Sequence, residues 1–214
     1  MEPYTPARFR TTLDEIYALL DVSHSEAVLE IKTGEPGALA WTLQGFGMLR
    51  FYIPGGGRRV HVWSPGHAAA GIPVMHSHPW NFTSTVVSGE IVNEIYSADA
   101  RPGAASPYMR QRIFCGAGGG LDGDPEEVWL GMVSSGLYTP GQRYRMEAAQ
   151  IHVSTPSAGC VTVCARDLAV PDPDRAVVLW PVGEQWGSAE PRPATPGERR
   201  DILGHALEVW GQPA

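Results

Sequence analysis

The chain has 214 residues and a formal charge of -7, with 43% hydrophobic and 18% charged residues. That make-up fits one folded domain with an ample core, or one domain with terminal additions. The acidic balance, with no basic run beyond Arg58-Arg59 or Arg199-Arg200, argues against a nucleic-acid partner. No apolar run approaches the ~20 residues of a membrane span, and no signal-peptide core opens the chain, so no membrane association is expected. Cys115, Cys160 and Cys164 form no CxxC pair, which fits a reduced, cytoplasmic protein.

In chain order, Thr12 to Glu15 fits a capping box, and Leu13, Ile16, Tyr17, Leu19 and Leu20 form an apolar helical stripe. A second short helix is predicted from Ser25, and a further helical turn or two between Gly37 and Gln44. Residues 1–44 are thus expected to be a helical segment covering one face of a barrel over 45–180. Met48 to Ile53 and Arg58 to Trp63 read as strands around the Pro54 to Gly57 turn. His61 and His67 follow, read as solvent-exposed or backbone-bonded histidines.

Strand patterns continue at Thr83 to Val87 and Ile91 to Tyr96, predicted as a hairpin about Ser88-Gly89. Met109 to Cys115 is another strand. Gly116 to Glu127, with five glycines and four acids, reads as a solvated loop whose Asp122 and Asp124 lack the rest of a calcium-loop pattern. Val128 to Val133, Gly136 to Thr139, Tyr144 to Met146, Gln150 to Ser154 and Cys160 to Arg166 are short strands separated by turns. Val177 to Trp180 reads as an edge strand. In the tail, 181–214, Thr195 to Glu198 is a second capping box with proline at the first helical position, opening a helix to about Trp210. Short strands at this spacing, with 25 glycines and 19 prolines, predict an antiparallel β-barrel.

His76 and His78 are two residues apart in Pro73 to Tyr96, PVMHSHPWNFTSTVVSGEIVNEIY. On a strand, residues two apart share a face with Cα atoms ~6.5 to 7 Å apart, so both imidazoles can reach one metal ion at bonds of about 2.0 to 2.2 Å. His152, flanked by Ile151 and Val153, is the third ligand candidate. Three imidazoles inside a barrel would otherwise each need hydrogen-bond partners, a costly arrangement.

The two blocks together resemble the cupin superfamily. Gly71, His76, His78 and Gly89 match its first motif, with ten residues between His78 and Gly89 and Phe82 where its glutamate falls. His152 matches the second motif, in which Glu147 and Ala149 replace the usual proline and glycine. From about Leu13 to Arg166 the chain is further similar to the thiol dioxygenases, the cysteine dioxygenase family, through DVSHSEAVLEI, VHVWSPGHAAAGIPVMHSH and GEIVNEIY. The resemblance implies a cupin-type jelly-roll barrel and iron(II) held by His76, His78 and His152. It also implies a substrate carboxylate held by Arg50, with dioxygen as co-substrate. By ligand type, zinc, nickel and manganese also suit the triad.

Where that family carries a Ser-His-Tyr relay, this chain has Thr162, Cys164 and Arg166. A guanidinium donates hydrogen bonds but holds its proton near neutral pH. Free cysteine is therefore not the expected substrate. A small organic acid, a thiol acid among them, fits better, with Arg166, Arg50 and Cys164 as candidate catalytic residues. Alternation from His152 turns Cys164 and Arg166 inward, with Arg166 stabilising an anion, although the turn at Pro156 to Gly159 leaves that phase open. Trp63, Trp80, Phe82 and Tyr144 read as core aromatics. Two other readings of the barrel are a lyase or isomerase using the ion as Lewis acid and a non-enzymatic ligand-binding module. A monomer or homodimer is expected.

Overall fold

The structure, a computed structural model, describes residues 41–52, 58–72, 74–99, 107–113, 120–167, 176–184 and 191–210. The predicted helices before residue 41, the Pro54 to Gly57 turn and Cys115 lie outside the described residues. Thirteen strands are described: β1 (Thr42–Gln44), β2 (Phe46–Tyr52), β3 (Arg58–Ala68), β4 (Met75–His76), β5 (Phe82–Ser88), β6 (Ile91–Asp99), β7 (Pro107–Ile113), β8 (Leu121–Tyr138), β9 (Arg143–Met146), β10 (Ile151–Pro156), β11 (Val161–Arg166), β12 (Val177–Pro181) and β13 (Arg192–Pro193). One helix, α1 (Pro196–Trp210), follows them.

The strands form a seven-stranded antiparallel sheet, in the order β13-β1-β2-β3-β11-β5-β9, and a closed antiparallel ring, β10-β4-β12-β7-β8-β6. The all-β barrel class with a C-terminal helix is thus present. Period-two alternation gives the large sheet two different faces. Leu49 and Phe51 of β2, Val60 and Val62 of β3, and Val161 and Val163 of β11 are buried against Ile202 and Ala206 of α1. Ile202 and Ala206 are four apart, so they lie on one helical face. Thr195 Oγ1 accepts from the Glu198 N–H at 3.2 Å while Glu198 Oε2 accepts from the Thr195 N–H at 2.9 Å, the reciprocal capping box expected from the sequence.

The opposite face of the same strands meets the ring. Met48, Trp63, Phe82, Val86, Tyr144, Met146, Cys160 and Cys164 pack there with Ile91 of β6. A third cluster, centred on Met75, Val128, Ile151 and Leu179, draws on all six strands of the ring. Alternation along β4 and β10 therefore sends Met75 and Ile151 into that cluster and His76 and His152 to the other side, toward the large sheet.

Several expectations change. Residues 42–44 form a strand paired with β2 and β13, where a helical turn was predicted. β5 and β6 are not partners: β5 pairs with β11 and β9, and β6 with β10 and β8. The Ser88-Gly89 turn instead hands the chain from the sheet to the ring. Gly89 has φ +69°, and a Cβ there would stand 2.8 Å from Cys160 Cα, so only glycine fits this crossing without strain. The acid-rich stretch from Leu121 is strand, continuous to Tyr138, because β7 pairs with it and lines up opposite charges. Arg110 reaches Glu126 at 2.8 Å and Arg112 reaches Asp122 at 3.6 Å. β12 is no edge, since β4 and β7 flank it on either side.

Candidate metal centre

β4 is two residues long, so only His76 of the HxH pair is on a strand, and His78 sits just past its end. The predicted strand alternation is thus not what aligns the pair. Convergence comes instead from β10, which places His152 directly opposite His76 across the β4–β10 ladder. Ring centroids lie 4.8 Å apart for His76 and His78, 4.6 Å for His76 and His152, and 5.1 Å for His78 and His152. One ligand atom from each lies within 4.8 Å of the others, so His76, His78 and His152 form a group that could hold a metal ion.

Local hydrogen bonds prepare two of these rings as ligands. His76 Nδ1 lies 3.0 Å from the Val74 carbonyl oxygen, and His152 Nδ1 lies 3.0 Å from that of Gln150. A carbonyl only accepts, so Nδ1 must carry the proton in each ring. Nε2 is then left with its lone pair free, the orienting arrangement usual behind metal-bound histidines. Aromatic walls fix the ring planes. Phe46 stacks on His76 at 5.2 Å, Trp80 stacks on His78 at 5.8 Å, and Phe82 meets His78 edge-on at 5.1 Å.

The electrostatics favour neutral rings. Burial is the main cause of the lowered pKa of all three, and in His76, brought down to about 3, the neighbouring His152 adds to it. His78 is held well below the ordinary value, with its sister histidines, Arg59 and His61 contributing after burial. Neutral imidazoles with no carboxylate among them suit zinc, iron, nickel or copper by ligand type.

Of the other predicted residues, Cys164 is buried on the face that meets the ring, paired across strands with Arg59 and Ser84. Burial pushes its thiol pKa up, with hydrogen bonding and charge from Arg59 working the other way. Arg166 occupies the same inner phase, opposite Phe82, but its side chain is exposed at the rim. Its guanidinium carbon stands 5.0 Å from the centre of the Trp80 ring, which in turn stacks on His78. Arg50 also faces inward. It donates to Thr42 Oγ1 at 3.1 Å and to Gln44 Oε1 at 3.2 Å on β1.

Two residues that sequence reasoning passed over lie between these arginines. His61, expected to be exposed or backbone-bonded, is buried, as is Arg59 beside it on the inner face of β3. The signal was there in the alternation: Arg59, His61 and Trp63 share the phase opposite to Val60 and Val62. Charge at Arg59 contributes, after burial, to the lowered pKa of both His76 and His78. Thr162, at a relay position of the resembled family, accepts from Trp63 Nε1 at 3.3 Å and lies 3.5 Å from His61 Nδ1.

No protein-family model matches this chain, and neither does any curated protein. A closed antiparallel barrel with a three-histidine cluster is compatible with a cupin-like fold and with a metalloenzyme.

Proposed function

We propose that this protein is a mononuclear iron(II) oxygenase of cupin type that acts on a small organic acid. The observation that carries the reading is the triad itself, with backbone carbonyls holding the Nδ1 protons of His76 and His152 so that Nε2 of each keeps its lone pair for a metal. The likeness of the HxH block and of Arg50 to the thiol dioxygenases supports iron over other ions. A bound iron(II) would supply redox chemistry with dioxygen at the coordination positions that three histidines leave open.

The chain's own residues do the rest. Phe46, Phe82 and Trp80 pack against the rings of His76 and His78 and hold them in place. The cationic side chains of the inner face attract an acid and orient it toward the histidines. Cys164, its thiol pKa raised by burial, stays protonated near neutral pH and is a poor nucleophile there. Thr162 and Cys164 replace two members of the thiol dioxygenase relay, and Arg166, in place of its tyrosine, has its head at the rim. Free cysteine is accordingly not the substrate.

Metal analysis of the purified protein, followed by oxygen uptake with a panel of small acids, tests the reading. Iron(II)-dependent oxygen consumption that also requires an acid is the expected result. A second reading is favoured by the same donor set, since three histidines also form catalytic zinc sites. Stoichiometric zinc with turnover that ignores dioxygen would establish it in place of the oxygenase.

A further inference from the structure

The two halves of β8 differ in a way that pairing within the molecule does not explain. From Leu121 to Trp129 the strand pairs with β7, and from Trp129 to Tyr138 it pairs with β6. Beyond Trp129 it has no second neighbour among the described residues. The backbone N–H and C=O groups of Leu130 to Tyr138 that point away from β6 therefore form an open edge.

Open strand edges template pairing with other chains, and proteins usually blunt them with charge, proline or shortness. The other edges here follow that rule. β9, the last strand of the large sheet, is four residues long and exposes Arg143 and Arg145. β13, at the opposite end of that sheet, is two residues long and includes Pro193. The first half of β8 itself carries Asp122, Asp124, Pro125, Glu126 and Glu127. From Val128 to Gln142, by contrast, no side chain is charged. Met132 is 56% exposed, Val133 65% and Leu137 55%. Val133 has no partner on β6, since Ile95 lies opposite Ser134 and Tyr96 opposite Met132, and this bulge leaves its side chain in solvent.

Charge selects the occupant. Two copies that each carry -7 repel wherever acids meet, and Val128 to Gln142 is a strip where none do. Antiparallel pairing of two β8 edges also sends their acidic first halves to opposite ends of the contact, whereas parallel pairing would lay acid beside acid. An edge is self-complementary in the antiparallel sense, each copy giving N–H groups to the other's carbonyls about a two-fold axis. With that axis near Ser135, Leu137 of one copy stands beside Val133 of the other. The helices predicted before residue 41 do not suit this place, because a helix already uses its backbone groups within itself.

We infer that the Leu130 to Tyr138 edge of β8 is a homodimer interface, formed by antiparallel pairing with the same edge of a second copy of this chain. The interface is independent of the metal reading.

Sedimentation equilibrium of the full chain tests it. Wild type should pass from monomer to dimer across about 1 to 200 µM, the range of a small interface. Leu137→Lys and Val133→Lys both lie at exposed positions and bring the net charge nearer zero, so general repulsion cannot account for what they do. Each should raise the dissociation constant about tenfold or more, by setting an ammonium against the apolar edge of the partner. Val182→Lys, a like change at an exposed residue just after β12, should leave the constant unchanged. All three variants should keep the wild-type circular dichroism. Amide hydrogen exchange over Leu130 to Tyr138 should be slower in concentrated than in dilute wild type, the mark of backbone pairing rather than side-chain contact alone.

A wild type that stays monomeric throughout, or a dimer that withstands both β8 variants or is weakened as much by Val182→Lys, would overturn the interface. So would exchange in the strand that ignores concentration. Growth beyond the dimer would overturn the two-fold pairing, which uses up the edge that it joins.

Discussion

Toward α1, β2, β3 and β11 present Leu49, Phe51, Val60, Val62, Val161 and Val163, and toward the ring they present Arg50, Arg59, His61, Thr162 and Cys164. The backbone is shared, so the contrast is purely one of side-chain phase. The first face contains no group that needs a partner, and its burial contributes stability in proportion to apolar area, roughly 25 cal/mol per Å². The second withdraws cations, hydroxyls and imidazoles from water, which costs free energy unless each is satisfied. A strand that needed only to fold would be apolar on both faces here. The polar face is therefore where the fold gives up stability for chemistry.

Breaking the apolar face should produce the largest effect. Leu49→Ala, at a fully buried position, should cost about 2 to 5 kcal/mol of unfolding free energy in a denaturant titration and leave metal stoichiometry unchanged. If that variant lost metal as well, the two faces would not be separable. The complementary change, His76→Ala, should lower bound metal at least about tenfold, equivalent to roughly 1.4 kcal/mol, with the barrel still folded. Elemental analysis beside circular dichroism decides it, and equal metal in wild type and variant would remove the site.

Acid should sharpen the contrast, because it acts on the polar face alone. His61 and His152 are buried and kept neutral, with pKa values lowered from the ordinary 6.5. The unfolded chain takes up protons below about 6.5 that the folded chain refuses. The stability that these residues allow is thus complete above that pH and is lost as the pH falls below it, by at most about 1.4 kcal/mol per pH unit for each imidazole. Denaturant midpoints of metal-free protein at successive pH values measure the slope. His61→Phe should reduce it, and an unchanged slope would show that His61 is not kept neutral.

The smallest effect is expected at the rim. Arg166→Ala removes an exposed cation from the Trp80 face, an interaction worth about 0.5 to 1 kcal/mol. Thermal unfolding should shift slightly, and metal content should not. A large loss of acid binding in this variant would restore the inward role expected from alternation.

The sequence was most informative where one residue type answers to one local rule. The capping box at Thr195 to Glu198 and the inward phase of His152 needed only neighbours a few positions away. Gly89 announced a turn, but its positive φ says nothing about which strand the chain pairs with next. For that reason the crossing from sheet to ring read as a hairpin. The stretch from Leu121 looked like a solvated loop because its glycines and acids disfavour strand locally. Arg110 and Arg112, distant in sequence, are what line up opposite it. Arg59 and His61 were hidden by the habit of placing charged residues outside, although their phase along β3 already put them within.

One pair of residues has a consequence for the dynamics of the whole ring. β4 meets β10 through a single register pair, and its members are His76 and His152. The narrowest seam of the ring and two corners of the ligand set are therefore the same two residues. All of β5 to β9 lies on the chain between them, so closing the seam is a distant and slow encounter during folding. A group that grips both imidazoles only when the seam is shut would act as a latch, suppressing local opening in proportion to its concentration over its dissociation constant. Escape of that group and hydrogen exchange at the seam amides would then follow one clock, since neither can proceed until the ring breathes open there.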